Sequence, residues 1–198
     1  DDIYESNFLE PWVQWVGIHT GLPSSVHAVK NLGDVPKLTH PQIWERLSLV
    51  GKSSVVWGAM NAKRGHADQC WVFAPDPWVF NEPVHPEEYN DVFKLPRYVA
   101  KNYTSLSKLK VAILFAEFLV HSMRLVGVKT TLHALRMLMD GLRRFGPKNF
   151  VFISIFEFLS AAIFSDVAGN KGAQLNFIFL NSIAHVQHHY WRSSNIED

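Results

Sequence analysis

The stretch that decides the fold lies near the C-terminus and reads LNFIFLNSIAHVQHHYW, from Leu175 to Trp191. An apolar run with strand character ends at a polar residue, and three histidines then follow within five positions. Proteins that bind a metal at the end of a parallel strand are built in this way, because the strand end holds its ligands rigidly. The stretch therefore predicts a strand of a parallel sheet followed by a candidate metal site.

The three histidines of this stretch are His185, His188 and His189. If residues 184–190 continue as a helix, His185 shares a face with His189 at spacing i, i+4 and with His188 at spacing i, i+3. Both pairs stay open, with His185 and His189 as the expected metal ligands and His188 as the alternative. Zn²⁺ suits imidazole and carboxylate donors, and Mn²⁺ is the second candidate. The competing interpretation is a polar turn whose histidines bond to backbone carbonyls.

The rest of the chain alternates helical and strand patterns at first and is helical later. A helix is predicted between Pro41 and Gly51, followed by strands at 53–58 and 71–74. From about residue 105 the apolar spacing is helical, and three helices follow without a strand between them: 105–126, 129–145 and 148–167. We expect an α/β fold with a core segment at 1–98, a helical insertion or cap at 99–172, and a return to the core at 173–198.

The composition is that of a globular protein, with 47% hydrophobic and 19% charged residues among 198. The net charge is +1 and the basic residues are scattered, so we expect no nucleic-acid partner. The longest apolar runs, at 111–120 and 150–164, fall short of the roughly 20 residues that cross a bilayer, which predicts no membrane span. The single Cys70 excludes an internal disulfide framework, and cytoplasm is the default expectation.

A second polar stretch lies near the N-terminus. Glu10 and Gln14 stand among tryptophans, and residues 20–23, TGLP, predict a turn. A carboxylate near a histidine cluster can bind a metal or act as a base, so Glu10 is a candidate acid/base or ligand. A solvated loop acid is the alternative for Glu10. We expect His27 to have no catalytic role and Asp76 to shape a turn.

Together these stretches resemble the alkaline phosphatase superfamily, and within it the type I phosphodiesterase/nucleotide pyrophosphatase branch. TGLPSSVHAV at 20–29 is similar to the family signature of Thr-Gly, an aromatic residue or Leu, Pro, two variable residues and His-Gly-Ile. HVQHH at 185–189 has the spacing of the family's Asp-x-x-x-His metal motif, with His185 in the place of the Asp. The resemblance covers 8–61 and 175–191 and hardly touches the helical insertion.

The resemblance implies a parallel-sheet core and a two-metal hydrolase or transferase acting on small-molecule phosphate, sulfate or phosphonate esters. The family's hydroxyl nucleophile falls on Pro11, which has no hydroxyl, and its phosphate-contacting Asn falls on Gln14. Two hypotheses follow. One is a metal-dependent enzyme that uses Gln14 to contact the transferring group and Glu10 as base or ligand. The other is a catalytically degenerate binding module.

Further family motifs are expected outside the chain, before residue 1 and after residue 198. The chain also opens on Asp1 without a methionine and stops soon after the histidines, so we expect a segment of a longer enzyme. A third hypothesis comes from the H-x-x-H-H box of membrane di-iron desaturases, which HVQHH also matches. Those enzymes need several boxes and spanning helices, and this sequence offers one box and no spanning segment, so the third hypothesis is disfavoured, above all by the missing spans.

Overall fold

The computed structural model describes residues 10–190, the side chains of His188 and His189 excepted. Three strands and seven α-helices occur in this part of the chain, with short 3₁₀ turns at Val35–Lys37 and Glu87–Tyr89. In chain order they are α1 (Pro11–Thr20), α2 (Ser24–His27), α3 (Ile43–Leu49), β1 (Ser54–Ala59), β2 (Cys70–Pro75), α4 (Asn90–Lys101), α5 (Lys108–Phe145), α6 (Asn149–Lys171), β3 (Leu175–Ile178) and α7 (Ser182–Tyr190).

The chain forms two compact units. The first takes in the chain up to Phe118 and returns for Asn170–Phe179, so that it holds all three described strands. The second comprises Leu119–Gly169 and the chain from Leu180 onward, and it is helical in the described part.

The sheet of the first unit is parallel, with strand order β2-β1-β3. Val56 at the centre of β1 lies opposite Phe73 of β2 and Phe177 of β3. The predicted strands at 53–58, 71–74 and 175–180 are therefore confirmed to within a few residues, and so is the α/β class. A central strand flanked on both sides is expected to be continuously apolar, and residues 54–57 are all buried.

Aromatic side chains cover both faces of this sheet. On one face Trp44 of α3 packs against Phe73, with ring centroids 5.6 Å apart, and Trp15 of α1 packs against Phe179 at 4.9 Å. On the other face Trp57 packs against Phe93 of α4 at 5.2 Å. Since successive strand residues point to opposite faces, Val56 and Trp57 serve different layers.

A glycine allows β1 and the end of β3 to approach closely. Gly58 has φ +71°, and a Cβ at this position would lie 2.8 Å from the carbonyl oxygen of Phe179. The backbone N–H of Phe179 donates to the Trp57 carbonyl at 2.9 Å, which continues the pairing beyond β3. Only glycine fits both the backbone angle and the contact.

The outer edge of β2 is covered by a single residue from a later loop. Phe73 and His85 exchange two backbone hydrogen bonds of 2.7 and 2.8 Å. The loop then leads into α4, a helix that the sequence patterns do not predict. Pro96 lies inside α4, and a proline inside a segment normally argues against a helix there, because proline usually ends a helix.

The helical part of the chain breaks where glycines predict it. Gly127 has a non-helical backbone (φ 80°, ψ 163°) inside α5, and Gly146 follows the end of that helix with φ 72°. Within the second unit, His133 of α5 packs against Phe158 of α6 at 5.6 Å. The predicted helix boundaries near Gly127 and Gly146 are confirmed.

Helices α5 and α6 are long and apolar enough to cross a membrane when judged by length and composition alone. They extend beyond the uninterrupted apolar runs of the sequence. In α6 many apolar side chains, such as Ile155 and Leu159, are buried within the protein. In α5 the apolar stretch carries Glu117 and Arg124 at exposed positions, where charge is costly in lipid. The absence of a membrane span stays a prediction.

Candidate functional site

The histidine-rich segment is a helix, the first of the two alternatives that its sequence leaves open. Helix α7 spans Ser182–Tyr190, and three residues separate it from the end of β3 at Ile178. Helical geometry puts His185, His188 and His189 on one side of α7. The ring of His185 is half-buried, and its Nε2 lies 3.5 Å from the Asn181 side-chain nitrogen, at the outer limit of a hydrogen bond.

A buried carboxylate holds the N-terminus of α7. Glu157 of α6 is 8% exposed, and one of its oxygens accepts the backbone N–H of Ser182 at 2.7 Å. Its other oxygen accepts the backbone N–H of Asn181. A negative charge at a helix N-terminus is favourable, because the first N–H groups of a helix have no partner inside it. Glu157 therefore fixes the start of the helix that carries the histidines.

The metal-ligand prediction falls partly on side chains outside the description. Among the side chains that the structure describes, which include His185 but not His188 or His189, no group of three or more His, Cys, Asp or Glu residues is placed to hold a metal. The chemistry of the donor set still fits zinc, since imidazoles at i and i+4 on a helix are a common pair of zinc ligands. That His189, or alternatively His188, is the second ligand beside His185 stays a prediction.

The N-terminal candidates lie together on the first turn of α1. Pro11 is the first helical residue, a position that suits proline because its missing N–H would have no helical partner. Glu10 is the N-cap, and its backbone carbonyl accepts the N–H groups of Val13 and Gln14 at 2.9 and 3.1 Å. The Glu10 and Gln14 side chains are both exposed. They therefore need no buried partner and are accessible from solvent.

The TGLP turn is confirmed, and its polar groups stabilise the fold. Thr20 is buried, and its hydroxyl donates to the Val16 carbonyl at 2.7 Å. Gly21 takes the left-handed conformation that ends α1. His27 is also buried, and its Nδ1 accepts the Val29 N–H at 3.1 Å.

A buried polar network around His19, Gln42 and Glu45 was not predicted from the sequence. His19 is 2% exposed, and burial lowers its pKa to about 4, so the ring is neutral near pH 7. Its Nδ1 lies 3.4 Å from Nε2 of Gln42, whose Oε1 accepts the Lys63 N–H at 3.0 Å. Glu45 accepts the N–H groups of Gln42 and His66 at 2.9 and 3.1 Å. These contacts join α1, α3 and the loop after β1.

Asp76 follows β2 directly and shapes a turn, as expected. Its Oδ1 accepts the Trp78 N–H at 2.8 Å. The carboxyl is buried, and this burial raises its pKa to about 7, while the hydrogen bond and the nearby Arg97 guanidinium oppose the rise. A carboxyl that titrates near neutrality at a strand end could exchange protons, but its hydrogen bond to the turn accounts for its position.

No protein family, characterised protein or solved structure that was compared with this chain matches it. The observed parallel sheet supports the coarse α/β class. The resemblance to the alkaline phosphatase superfamily therefore stays an expectation from the sequence stretches 8–61 and 175–191.

Proposed function

We propose that this chain forms part of a metal-dependent hydrolase or transferase acting on phosphate or related sulfate and phosphonate esters. One observation carries the proposal. Three histidines at spacing i, i+3, i+4 occupy a helix that is separated by three residues from a strand of a parallel sheet. Ligands of α/β proteins commonly bind beyond the carboxyl ends of parallel strands.

In this proposal His185 and His189 are the metal ligands, with His188 as the alternative to His189. Bound Zn²⁺ or Mn²⁺ would polarise the ester and neutralise charge that develops on its oxygens. The support for α7 as the metal-binding element is its attachment at one end. Glu157 bonds to two consecutive backbone N–H groups there, which fixes the start of the helix.

The first turn of α1 would contact the substrate. Gln14 has an exposed amide that can donate to an oxygen of the transferring group. Glu10 has an exposed carboxylate at the same end of the helix, which can accept a proton or serve as a ligand. Pro11 offers no hydroxyl, so this position cannot form a covalent intermediate. Attack by water, with Glu10 as the base, is the reaction that these side chains favour.

The same proline favours a second candidate function, a module that binds a metal and an ester without turnover. Pro11 is well accommodated as the first residue of α1, so its presence reflects a stable local structure. In the module, Gln14 would still contact the ester, but no product would form. Binding of a phosphate ester without release of phosphate separates this candidate from the enzyme.

The test is metal content by mass spectrometry on the purified full-length protein after reconstitution with zinc or manganese. The double variant His185→Ala/His189→Ala is compared with wild type and with His40→Ala/His66→Ala, which removes two imidazoles outside α7. We expect close to stoichiometric metal in wild type and the control, and loss in the α7 variant. No metal in wild type, or equal metal in all three proteins, would refute the proposal. Phosphate, sulfate and phosphonate esters are then screened for hydrolysis.

A further inference from the structure

A cleft of about 760 Å³ opens in the first unit beside the loop that covers the edge of β2. The polar side chains that the argument uses are Arg64, Arg97, His85 and Glu82, and Phe80 contributes an aromatic wall. The cleft shares no residue with α7 or with the first turn of α1. Its size suits a small organic molecule.

Arg97 lines this cleft, and one nitrogen of its guanidinium donates a hydrogen bond within the protein. Its Nη2 donates to the backbone carbonyl of Glu82 at 2.6 Å, which anchors the side chain of this half-buried residue. Its Nε is buried and has no hydrogen-bond partner among the described residues. This Nε has almost no accessible surface, so a ligand in the cleft cannot reach it; the Nη1 nitrogen forms no hydrogen bond among the described residues and is the donor left for a ligand.

Arg64 approaches from the loop between β1 and β2. Its backbone N–H donates to a Glu82 carboxylate oxygen at 2.7 Å, and its Nε donates to the Cys70 carbonyl at 3.3 Å. No hydrogen bond involves its two terminal guanidinium nitrogens within the part of the chain that the structure describes. The loop is held closely, since a Cβ at Gly65 would lie 2.1 Å from a carboxylate oxygen of Glu45. Two guanidiniums on fixed elements are thus presented to one cleft.

Neither guanidinium forms a salt bridge with a carboxylate among residues 10–190, although Glu82 interacts electrostatically with both arginines and Asp76 with Arg97. The two half-buried charges are therefore only partly compensated, and a bound anion would add to that compensation. Glu82 and Glu87 also line the cleft, so its walls are not uniformly positive. The carboxylates of Glu82 and Glu87 would repel a large polyanion, so the cleft favours one compact anionic group that the arginines bind directly.

We propose that this cleft binds a small phosphate monoester, with its phosphate group between Arg64 and Arg97 and its organic part against Phe80. The planar guanidinium group matches phosphate oxygens with paired N–H donors. The exposed imidazole of His85 provides a further donor at the same wall. The exposed ring of Phe80 provides the apolar contact that distinguishes an ester from inorganic phosphate. This inference does not depend on the metal site.

The test measures the Kd of inorganic phosphate and of phenyl phosphate by isothermal titration calorimetry, at constant ionic strength with EDTA. His185→Ala/His189→Ala serves as the parent protein, so that phosphate cannot report on the α7 site. Phenyl phosphate should bind more tightly than phosphate. Arg64→Gln should weaken both by about tenfold or more, because a charged hydrogen-bond donor is lost.

The matched control is Arg46→Gln, which removes an exposed arginine whose Nε donates to the Pro41 carbonyl outside the cleft. It should leave both Kd values unchanged. Arg97→Gln should resemble Arg64→Gln, and where it does not fold, Arg64→Gln decides. Absence of binding in the parent protein, or the same Kd in the Arg64 and Arg46 variants, would overturn the inference.

Discussion

The sheet of the first unit and helix α7 of the second are joined by three residues, yet different forces hold them. Strand β1 is buried along its length and is enclosed by aromatic rings on both faces. The described side chains of α7 are half-buried or exposed, and its first N–H groups depend on the single carboxylate of Glu157. Many redundant apolar contacts therefore define the fold, whereas a few polar contacts define the proposed site.

The largest effect should come from the packing on the sheet. Trp44 is 0% exposed and contacts both Phe73 and His19. Trp44→Ala should lower the free energy of unfolding by about 3–5 kcal/mol, because it leaves a large cavity. Trp71 on β2 is 38% exposed and is the control. Trp71→Ala should cost much less in urea denaturation, and equal losses would contradict the aromatic core as described.

A smaller effect should follow from adding one methyl group beside β3. Gly58→Ala would force a Cβ to within 2.8 Å of the Phe179 carbonyl at a positive φ. We expect a loss of about 2–3 kcal/mol in the free energy of unfolding. Gly21 has φ +70° but nothing within 4 Å of its Cβ position, so Gly21→Ala isolates the cost of the backbone angle. If the two alanine variants melt alike, the close contact with β3 is not present in solution.

Removing the charge that holds α7 should act locally. Glu157→Gln keeps the size of the side chain but has one acceptor oxygen in place of two, so one of the two hydrogen bonds and the favourable charge are lost, at a cost of about 1–2 kcal/mol. Hydrogen exchange should show faster exchange at Asn181, at Ser182 and along α7, while β1 stays protected. Ser160→Ala changes another buried side chain of α6 and is the control. Equal exchange of α7 in both variants would argue against Glu157 as its anchor.

The smallest net effect should be the dependence of stability on pH, because two buried groups oppose each other. The pKa of Asp76 is raised to about 7, so its contribution to stability is lost as the pH rises from about 4 to 7. The pKa of His19 is lowered to about 4, so its contribution is lost as the pH falls from about 6.5 to 4. The two slopes partly cancel in wild type.

Asp76→Asn removes one of these slopes. Its unfolding free energy should rise with pH between about 4 and 6.5 more steeply than that of wild type, because the opposing slope of Asp76 is gone while that of His19 remains. His19→Gln should show the opposite change, with stability falling as the pH rises. Urea melts at several pH values measure both. Parallel curves for wild type and the two variants would mean that these groups titrate normally in the folded protein.

The sequence predicts well whatever depends on local spacing. The strands near 54, 70 and 175 follow from short apolar runs, and the break of α5 follows from Gly127. The helical state of 182–190 was left open by the sequence beside a polar turn, and the structure shows the helix. Helix α4 was not predicted because Pro96 interrupts its sequence, and proline usually indicates the end of a helix. Local signals therefore account for most of the α/β class.

The candidate sites depend on contacts between distant residues, which periodicity does not record. Glu157 meets Asn181 across 24 positions, and an acid inside an apolar helix was the available but unused sign of a buried partner. Arg64 and Arg97 line one cleft together with His85, whose backbone pairs with β2. No sequence motif predicts this pairing. Glu10 and Gln14 lie four positions apart at the start of α1, and their roles stay predictions.

The central claim is that the histidines of α7 bind a metal. X-ray absorption spectroscopy at the zinc edge, on the zinc-reconstituted full-length protein, tests it most directly. The account predicts scattering from at least two imidazole rings at about 2.0–2.1 Å from the zinc, reduced in His185→Ala. Zinc surrounded by oxygen ligands alone, or a spectrum that is the same in His185→Ala, would contradict it.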